Sequence, residues 1–237
     1  ATPRVERVDF AGGLAGSLVG LCRLQHATSR VSPAFAGSLA VSNQSLEALV
    51  ARTADLMRDA DAVTSFAGGV RMGAATGTAG LCFALARVSG THRDAYDLAQ
   101  QLASGLTLRE SAGGWSSGTT GIVWASQRMK EAGIDLPASV ADQGDSERWI
   151  GALDDARERV PDHGLTRGLA GILDVATTLG HPKISSLVSE LCELDNLRLV
   201  APTSQNKHTL TLGEGLAGVG YALLRSEVCP EVSSPLG

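Results

Sequence analysis

The residues whose side chains could do chemistry lie beside five short glycine turns. Each turn contains two glycines three positions apart, and the pairs are Gly13 and Gly16, Gly77 and Gly80, Gly118 and Gly121, Gly168 and Gly171, and Gly215 and Gly218. The nearby side chains that could transfer a proton or hold an anionic oxygen are Asp9, His163, Arg167 and Glu214. Small hydroxyl or aromatic side chains in the same turns are Thr76, Trp115, Ser116, Ser117 and Thr166.

Each of these candidates also has a structural interpretation. Asp9 could cap a helix, and the small hydroxyl side chains could do the same. Arg167 could form a surface salt bridge, and Glu214 could interact with a helix N-terminus. Trp115 could pack between helices, and His163 could be a solvated loop histidine.

The elements that must position these side chains are helices of two kinds. A mostly uncharged helical stretch follows each turn, which is typical of a helix buried on most sides. Amphipathic segments with charge on one face lie between these stretches, at residues 45–59, 91–105, 146–159 and 181–193. Period-two alternation is nearly absent, so the sequence predicts no strand.

The glycine turns recur at intervals of 64, 41, 50 and 47 residues, which indicates stacked repeats of helix pairs. We therefore predict an all-α protein, a double-layered ring of inner and outer helices (an α/α-toroid). Residues 1–237 would form a single domain. The glycines would let inner helices start close to their neighbours and leave free backbone N–H groups at one mouth of the ring.

The composition restricts the partners. The net charge is −5 and no run of Lys or Arg occurs, so we expect neither nucleic acid nor membrane as a partner. The four cysteines lack metal-type spacing, and the histidines form no HxxxH or HxxE pattern. With no visible signal peptide, the simplest expectation is a reduced, cytoplasmic protein.

With these repeats, the chain resembles the lanthionine synthetase C-like family over nearly its whole length. The segments that carry the resemblance are 9–16 (DFAGGLAG), 72–80 (MGAATGTAG), 113–122 (GGWSSGTTGI), 165–173 (LTRGLAGIL) and 210–224 (LTLGEGLAGVGYALL). The resemblance implies a barrel of inner and outer helices with the glycine turns at one mouth. It also implies that Asp9 is catalytic.

The family's zinc ligands are replaced in this chain. The resemblance places Ser116, Thr166 and Arg167 at the three ligand positions and Thr76 at the position of an active-site histidine. Hydroxyls and a guanidinium do not make a tetrahedral zinc site, so we expect no metal and no other cofactor. The chain also starts too late to hold the family's first repeat, so we expect it to be part of a longer protein.

The resemblance implies a zinc-independent lanthionine or labionin cyclase, which adds cysteine thiols of a precursor peptide to dehydrated residues. Zinc-free members occur fused to kinase and lyase domains, which are therefore possible partners. Asp9, Arg167 and His163 would be catalytic, and the remaining turn residues would bind substrate. The alternative is a non-catalytic scaffold for the peptide or a partner enzyme. A glycosidase would need facing carboxylates, and Asp9 with Glu214 makes a poor pair.

Overall fold

The computed structural model describes residues 10–11, 13–31, 44–45, 47–53, 55, 72–90, 92–108, 112–141, 145–160, 162–193, 211–228 and 230. Its helices are α1 (Leu14–Val31), α2 (Thr78–Val88), α3 (Arg93–Ala103), α4 (Thr119–Glu131), α5 (Asp145–Arg157), α6 (Leu169–Leu179), α7 (Ile184–Cys192) and α8 (Leu216–Glu227). Residues 47–53 are helical as well. None of the described ranges contains a strand, so the all-α prediction is confirmed.

The chain divides into two compact units. The first unit comprises Ala1–Leu106 with Ala125–Ala138, and the second comprises Thr107–Trp124 with Ser139–Gly237. The assignment of residues 1–237 to a single domain stays a prediction. Within the part of the chain that the structure describes, no helix has both the length and the apolar character that crossing a membrane requires.

The two predicted kinds of helix are both present. The helices α2 and α6 follow glycine turns and are buried almost all round; in α2, every residue from Ala79 to Ala86 is buried. In α6 the buried stretch runs from Leu169 to Ala176. By contrast, the amphipathic α3 buries only Ala95, Ala99 and Ala103, and α7 buries only Leu187 and Leu191. The alternation predicted from the sequence is therefore confirmed in these four helices. It does not hold for α8, which follows the last turn yet buries only Gly218, Val219, Ala222 and Arg225.

In four of the five turns, the second glycine has no room for a β-carbon. A Cβ there would overlap the carbonyl oxygen six residues earlier, and the residue pairs are Gly16 with Phe10, Gly80 with Ala74, Gly171 with Leu165, and Gly218 with Leu212. The chain entering the helix therefore folds back directly onto the first helical turn. This close approach is the reason for the recurring glycine.

In α4 and α6 the first helical amides are not free, which corrects the prediction of open N–H groups at these two turns. In α4, Thr119 N donates to Ala112 O (3.0 Å) and Thr120 N donates to Gly113 O (3.1 Å). In α6, Leu169 N donates to Asp162 O at 3.0 Å. The segment before each of these helices supplies carbonyls that satisfy its first donors.

In the first unit, α2 packs against both α1 and α3. The rings of Phe10 and Phe83 lie 5.9 Å apart between centroids, which joins the first turn to α2. Gln100 on α3 donates to Asp135 O (2.8 Å) and accepts from Asp135 N (2.9 Å). These bonds fix α3 against the loop that follows α4.

In the second unit, a buried ion pair joins α6 to α8. Arg225 donates to Asp174 Oδ1 (2.9 Å) and Asp174 O (2.7 Å), and also to Thr178 Oγ1 (2.8 Å). Asp174 is 1% exposed and Arg225 is 5% exposed. Removing either partner would leave a buried charge uncompensated, so the pair fixes the register of α8 on α6.

Two glycines of α8 give a matched test of the glycine contact. A Cβ at Gly218 would overlap Leu212 O and lie 2.9 Å from Leu165 Cβ, whereas a Cβ at Gly220 meets no atom within 4 Å. We expect Gly218→Ala to lower the free energy of unfolding by about 2 kcal/mol or more. Gly220→Ala should raise it by about 0.5–1 kcal/mol, because glycine is a poor helix former. Urea unfolding measures both, and equal effects would contradict the contact.

Candidate functional site

Backbone hydrogen bonds join equivalent positions of neighbouring glycine turns. The position concerned lies two residues before the first glycine of each turn. In the first unit, Ala11 N donates to Ala75 O at 2.8 Å. In the second unit, Ser116 N donates to Thr166 O (2.7 Å) and Thr166 N donates to Gly213 O (2.9 Å). We call this set of bonds the turn ladder; it aligns the turns within each unit.

The ladder brings charged side chains of two turns together around Arg167. Arg167 Nη2 lies 3.5 Å from Asp162 Oδ2, and Arg167 Nε lies 3.6 Å from Glu214 Oε1. The Arg167 side chain is 56% exposed, so both ion pairs are screened by water and weak. A guanidinium held this loosely can exchange a carboxylate for another anionic oxygen at little cost.

Asp162 is anchored more firmly than Glu214. Its Oδ1 accepts a hydrogen bond from Gly164 N at 2.9 Å, while its Oδ2 faces Arg167. Asp162 therefore orders the loop before α6 and contacts one side of the Arg167 guanidinium. We call Asp162, His163, Thr166, Arg167 and Glu214 the turn cluster.

The other members of the turn cluster contribute one hydroxyl and one imidazole. Thr166 Oγ1 donates to Gly213 O at 3.2 Å, so its hydroxyl reinforces the ladder bond of its own backbone. His163 is half-buried, and its Nδ1 is buried with no hydrogen-bond partner among the described residues. His163 is thus partly enclosed by the protein, unlike a fully solvated loop histidine.

Trp115 packs in the core. It is 4% exposed, and its ring meets that of Trp124 edge to face with 5.4 Å between centroids. A Cβ at the adjacent Gly114 would lie 2.7 Å from Arg167 Cα, so glycine lets the two turns approach. Trp115 itself presents almost no surface to a substrate.

The remaining candidates divide between the two units. Asp9 lies outside the described residues. Thr76 belongs to the first unit, and its buried hydroxyl has no hydrogen-bond partner in the described part of the chain. Ser116 and Ser117 are half-buried in the second unit.

Helix capping does not explain the hydroxyls of Thr76 and Thr166. The N-cap residues of α2, α6 and α8 are the glycines Gly77, Gly168 and Gly215, each in an extended conformation without a side-chain cap. The side chain of Thr166, for its part, bonds to a neighbouring turn. The capping interpretation is therefore wrong for Thr76 and Thr166.

The donor set does not fit a zinc ion. Ser116 and Thr166 are joined through their backbones, the Thr166 hydroxyl is bonded to Gly213 O, and Arg167 carries a positive charge. The described ranges contain no group of three His, Cys, Asp or Glu residues that could hold a metal. Neutral hydroxyls and a guanidinium lack the thiolate or imidazole that zinc prefers.

The described cysteines lie elsewhere in the fold. Cys82 is fully buried in α2, and burial raises the pKa of its thiol far above the ordinary value. Burial also raises the pKa of the half-buried Cys22 on α1, while Cys192 is exposed on α7. No cysteine that the structure describes belongs to the turn cluster.

The sequence reasoning missed Asp162. Only Asp9 and Glu214 were considered as carboxylates at the turns, yet Asp162 lies six residues before Gly168 and contacts Arg167. The available signal was the Asp-His-Gly sequence, because an aspartate two residues before a glycine often accepts the glycine's N–H in a turn.

No family model matches the chain, and no curated protein matches it either.

The two carboxylates beside Arg167 should differ in their effect on stability. Asp162→Ala removes the acceptor for Gly164 N and should lower the free energy of unfolding by about 1 kcal/mol. Asp162→Asn keeps an acceptor oxygen and should recover most of that loss. Glu214→Ala removes only an exposed ion pair and should change stability by less than about 0.5 kcal/mol. Chemical unfolding distinguishes them; equal losses for Asp162→Ala and Glu214→Ala would contradict the assignment.

Proposed function

We propose that the chain is a zinc-independent lanthionine or labionin cyclase domain acting on a dehydrated precursor peptide. The observation that carries the proposal is the turn ladder, which gathers Ser116, Thr166, Arg167 and Glu214 at adjacent turns. In the sequence these residues are dispersed over three repeats. Polar side chains that converge on glycine turns from separate repeats are typical of a site built at one mouth of a helical ring.

Arg167 is suited to stabilise the charge that the reaction develops. The peptide thiol loses its proton to a base, and its sulfur attacks the β-carbon of a dehydroalanine or dehydrobutyrine. The electrons of the C=C bond move onto the adjacent carbonyl oxygen to give an enolate, and a proton then returns to the α-carbon. A guanidinium with loose ion pairs can turn toward that oxygen and lower the barrier.

The proton transfers need a group that can take up and return one proton. Asp9, implied by the resemblance, and the half-buried His163 are our candidates. Without a metal, a free thiol is ionised only to a few per cent at neutral pH. Orientation of the two reacting ends therefore carries much of the proposed acceleration.

We also propose that the repeats belong to an α/α-toroid whose ring continues beyond α8. Leu165 beside α6 is 1% exposed, whereas its equivalent in the last turn, Leu212, is 46% exposed. On the last helix, Leu224 is 57% exposed as well. A further helix pair on this side would bury Leu212 in the way that Leu165 is buried in the preceding repeat.

A non-catalytic scaffold that binds the precursor peptide or a partner enzyme is the second candidate. One observation favours it: Asp162 and Glu214 both face Arg167, so its charge is compensated within the protein. A scaffold needs only the shape of the turns and no group that transfers protons.

Thiol counting on a defined peptide tests the proposal. The probe is a synthetic peptide with one cysteine and one dehydroalanine two residues apart, and loss of free thiol reports closure. We expect Asp9→Asn to slow closure by about 100-fold and Arg167→Ala by about 10-fold. Ser116→Ala should slow it by less than about 3-fold, and dialysis against a chelator should leave the rate unchanged.

Arg93→Ala is the matched control, because it removes an exposed guanidinium from α3, where Arg93 pairs with Asp97 and lies over the ring of Tyr96. Its closure rate should equal that of the wild type. Binding of the same peptide is followed separately by fluorescence anisotropy. Closure at the uncatalysed rate with binding intact would refute the cyclase and leave the scaffold.

A further inference from the structure

A polar cavity lies in the second unit and is lined by none of the candidate residues above. Its volume is about 530 Å³, and its polar lining residues are Thr107, Thr119, Ser139, Arg148, Asp155 and Arg159. One wall is a single face of α5, where Arg148, Gly151, Ala152 and Asp155 follow at helical spacing. The two small residues between the charged ones leave the space that forms the cavity.

The cavity is rich in hydrogen-bond donors and positive charge. Two arginines and the hydroxyl residues Thr107 and Ser139 line it, against the single carboxylate of Asp155. The Thr119 hydroxyl donates to Ala112 O (3.4 Å) instead. The chain as a whole carries a net charge of −5, so this concentration of cations differs from the average surface. Such a set of donors suits an anion with several oxygens.

The guanidinium of Arg159 is held in place at the cavity wall. Its Nε donates to Asp155 O at 3.1 Å, and its Nη2 donates to Thr119 Oγ1 at 3.3 Å. Thr119 is fully buried at the start of α4, so it provides a fixed support. An arginine oriented in advance loses less conformational entropy when an anion binds.

We propose that this cavity binds the phosphoryl group of a phosphate monoester. A phosphoryl group presents three outer oxygens, enough to accept hydrogen bonds from both guanidiniums and from the Thr107 and Ser139 hydroxyls, whereas a carboxylate presents only two. The lining residues include no aromatic ring on which a nucleobase could stack. The volume exceeds that of a phosphoryl group, so part of the molecule that carries it would also fit. This site is independent of the proposed cyclase activity.

Gly151 allows a test that leaves the arginines in place. A Cβ at Gly151 meets no atom within 4 Å, and the residue is exposed on α5. Gly151→Asp therefore places a negative charge at the cavity without a clash, and Gly151→Asn is a control of nearly the same shape. Both replacements should preserve the helix, since asparagine and aspartate are better helix formers than glycine.

The experiment is a calorimetric titration of the full chain at constant ionic strength. Inorganic phosphate, O-phosphoserine and a phosphoserine peptide are compared with acetate, and the three phosphates distinguish a free ion from an ester. We expect Gly151→Asp and Arg148→Ala to raise the Kd for O-phosphoserine by about 10-fold or more, and Gly151→Asn by less than about 2-fold.

Arg93→Ala, outside the cavity, should leave the Kd unchanged. Thermal melting by circular dichroism establishes that each variant is folded. If Arg148→Ala does not fold, the comparison of the Kd values of Gly151→Asp and Gly151→Asn tests the proposal. The proposal is overturned by equal Kd values for Gly151→Asp and Gly151→Asn. It is also overturned if no phosphate saturates the protein below about 50 mM, or if acetate binds equally well.

Discussion

A backbone carbonyl packed on a glycine at the start of a buried helix is the constraint on which the rest of the structure depends. At Gly171, the carbonyl of Leu165 occupies the place of a β-carbon, so the chain must fold back on itself before α6 begins. That fold directs the N–H and C=O of Thr166 toward the neighbouring turns, where they form the turn ladder. It also leaves Arg167, the next residue, exposed at the turn. One steric requirement thus fixes both the repeat and the position of its polar side chains.

Packing behind the turns follows from the same geometry. Because α6 starts so close to its neighbours, almost every side chain of its first two turns is buried and must be apolar, small or paired. Asp174 is the charged residue in this stretch, and Arg225 of α8 compensates its charge. The pair and the ladder bond from Thr166 to Gly213 hold the same two repeats together at different depths. The positions of Arg167 and Glu214 are therefore determined by the ladder at the turns and by the ion pair between α6 and α8.

The sequence was sufficient for the helices but only partly for the site. Buried and amphipathic helices have different hydrophobic patterns, so their alternation was predictable from residues such as Ala79–Ala86. The pairing of Arg167 with Asp162 depends on how a loop folds back, which no periodic pattern records. The hydrogen bonds of the first helical amides could not be predicted either, because the carbonyls that accept them come from irregular segments such as 112–113.

Native-state hydrogen exchange of the turn amides tests the central claim most directly. Ser116 N–H and Thr166 N–H lie in non-helical turns, where amides usually exchange quickly, yet both donate to a neighbouring turn. We predict that they exchange about 100-fold or more slowly than the amides of Ser117 and Arg167, the next residues in the same turns. Exchange of all four amides at the rate of an open loop would contradict the turn ladder.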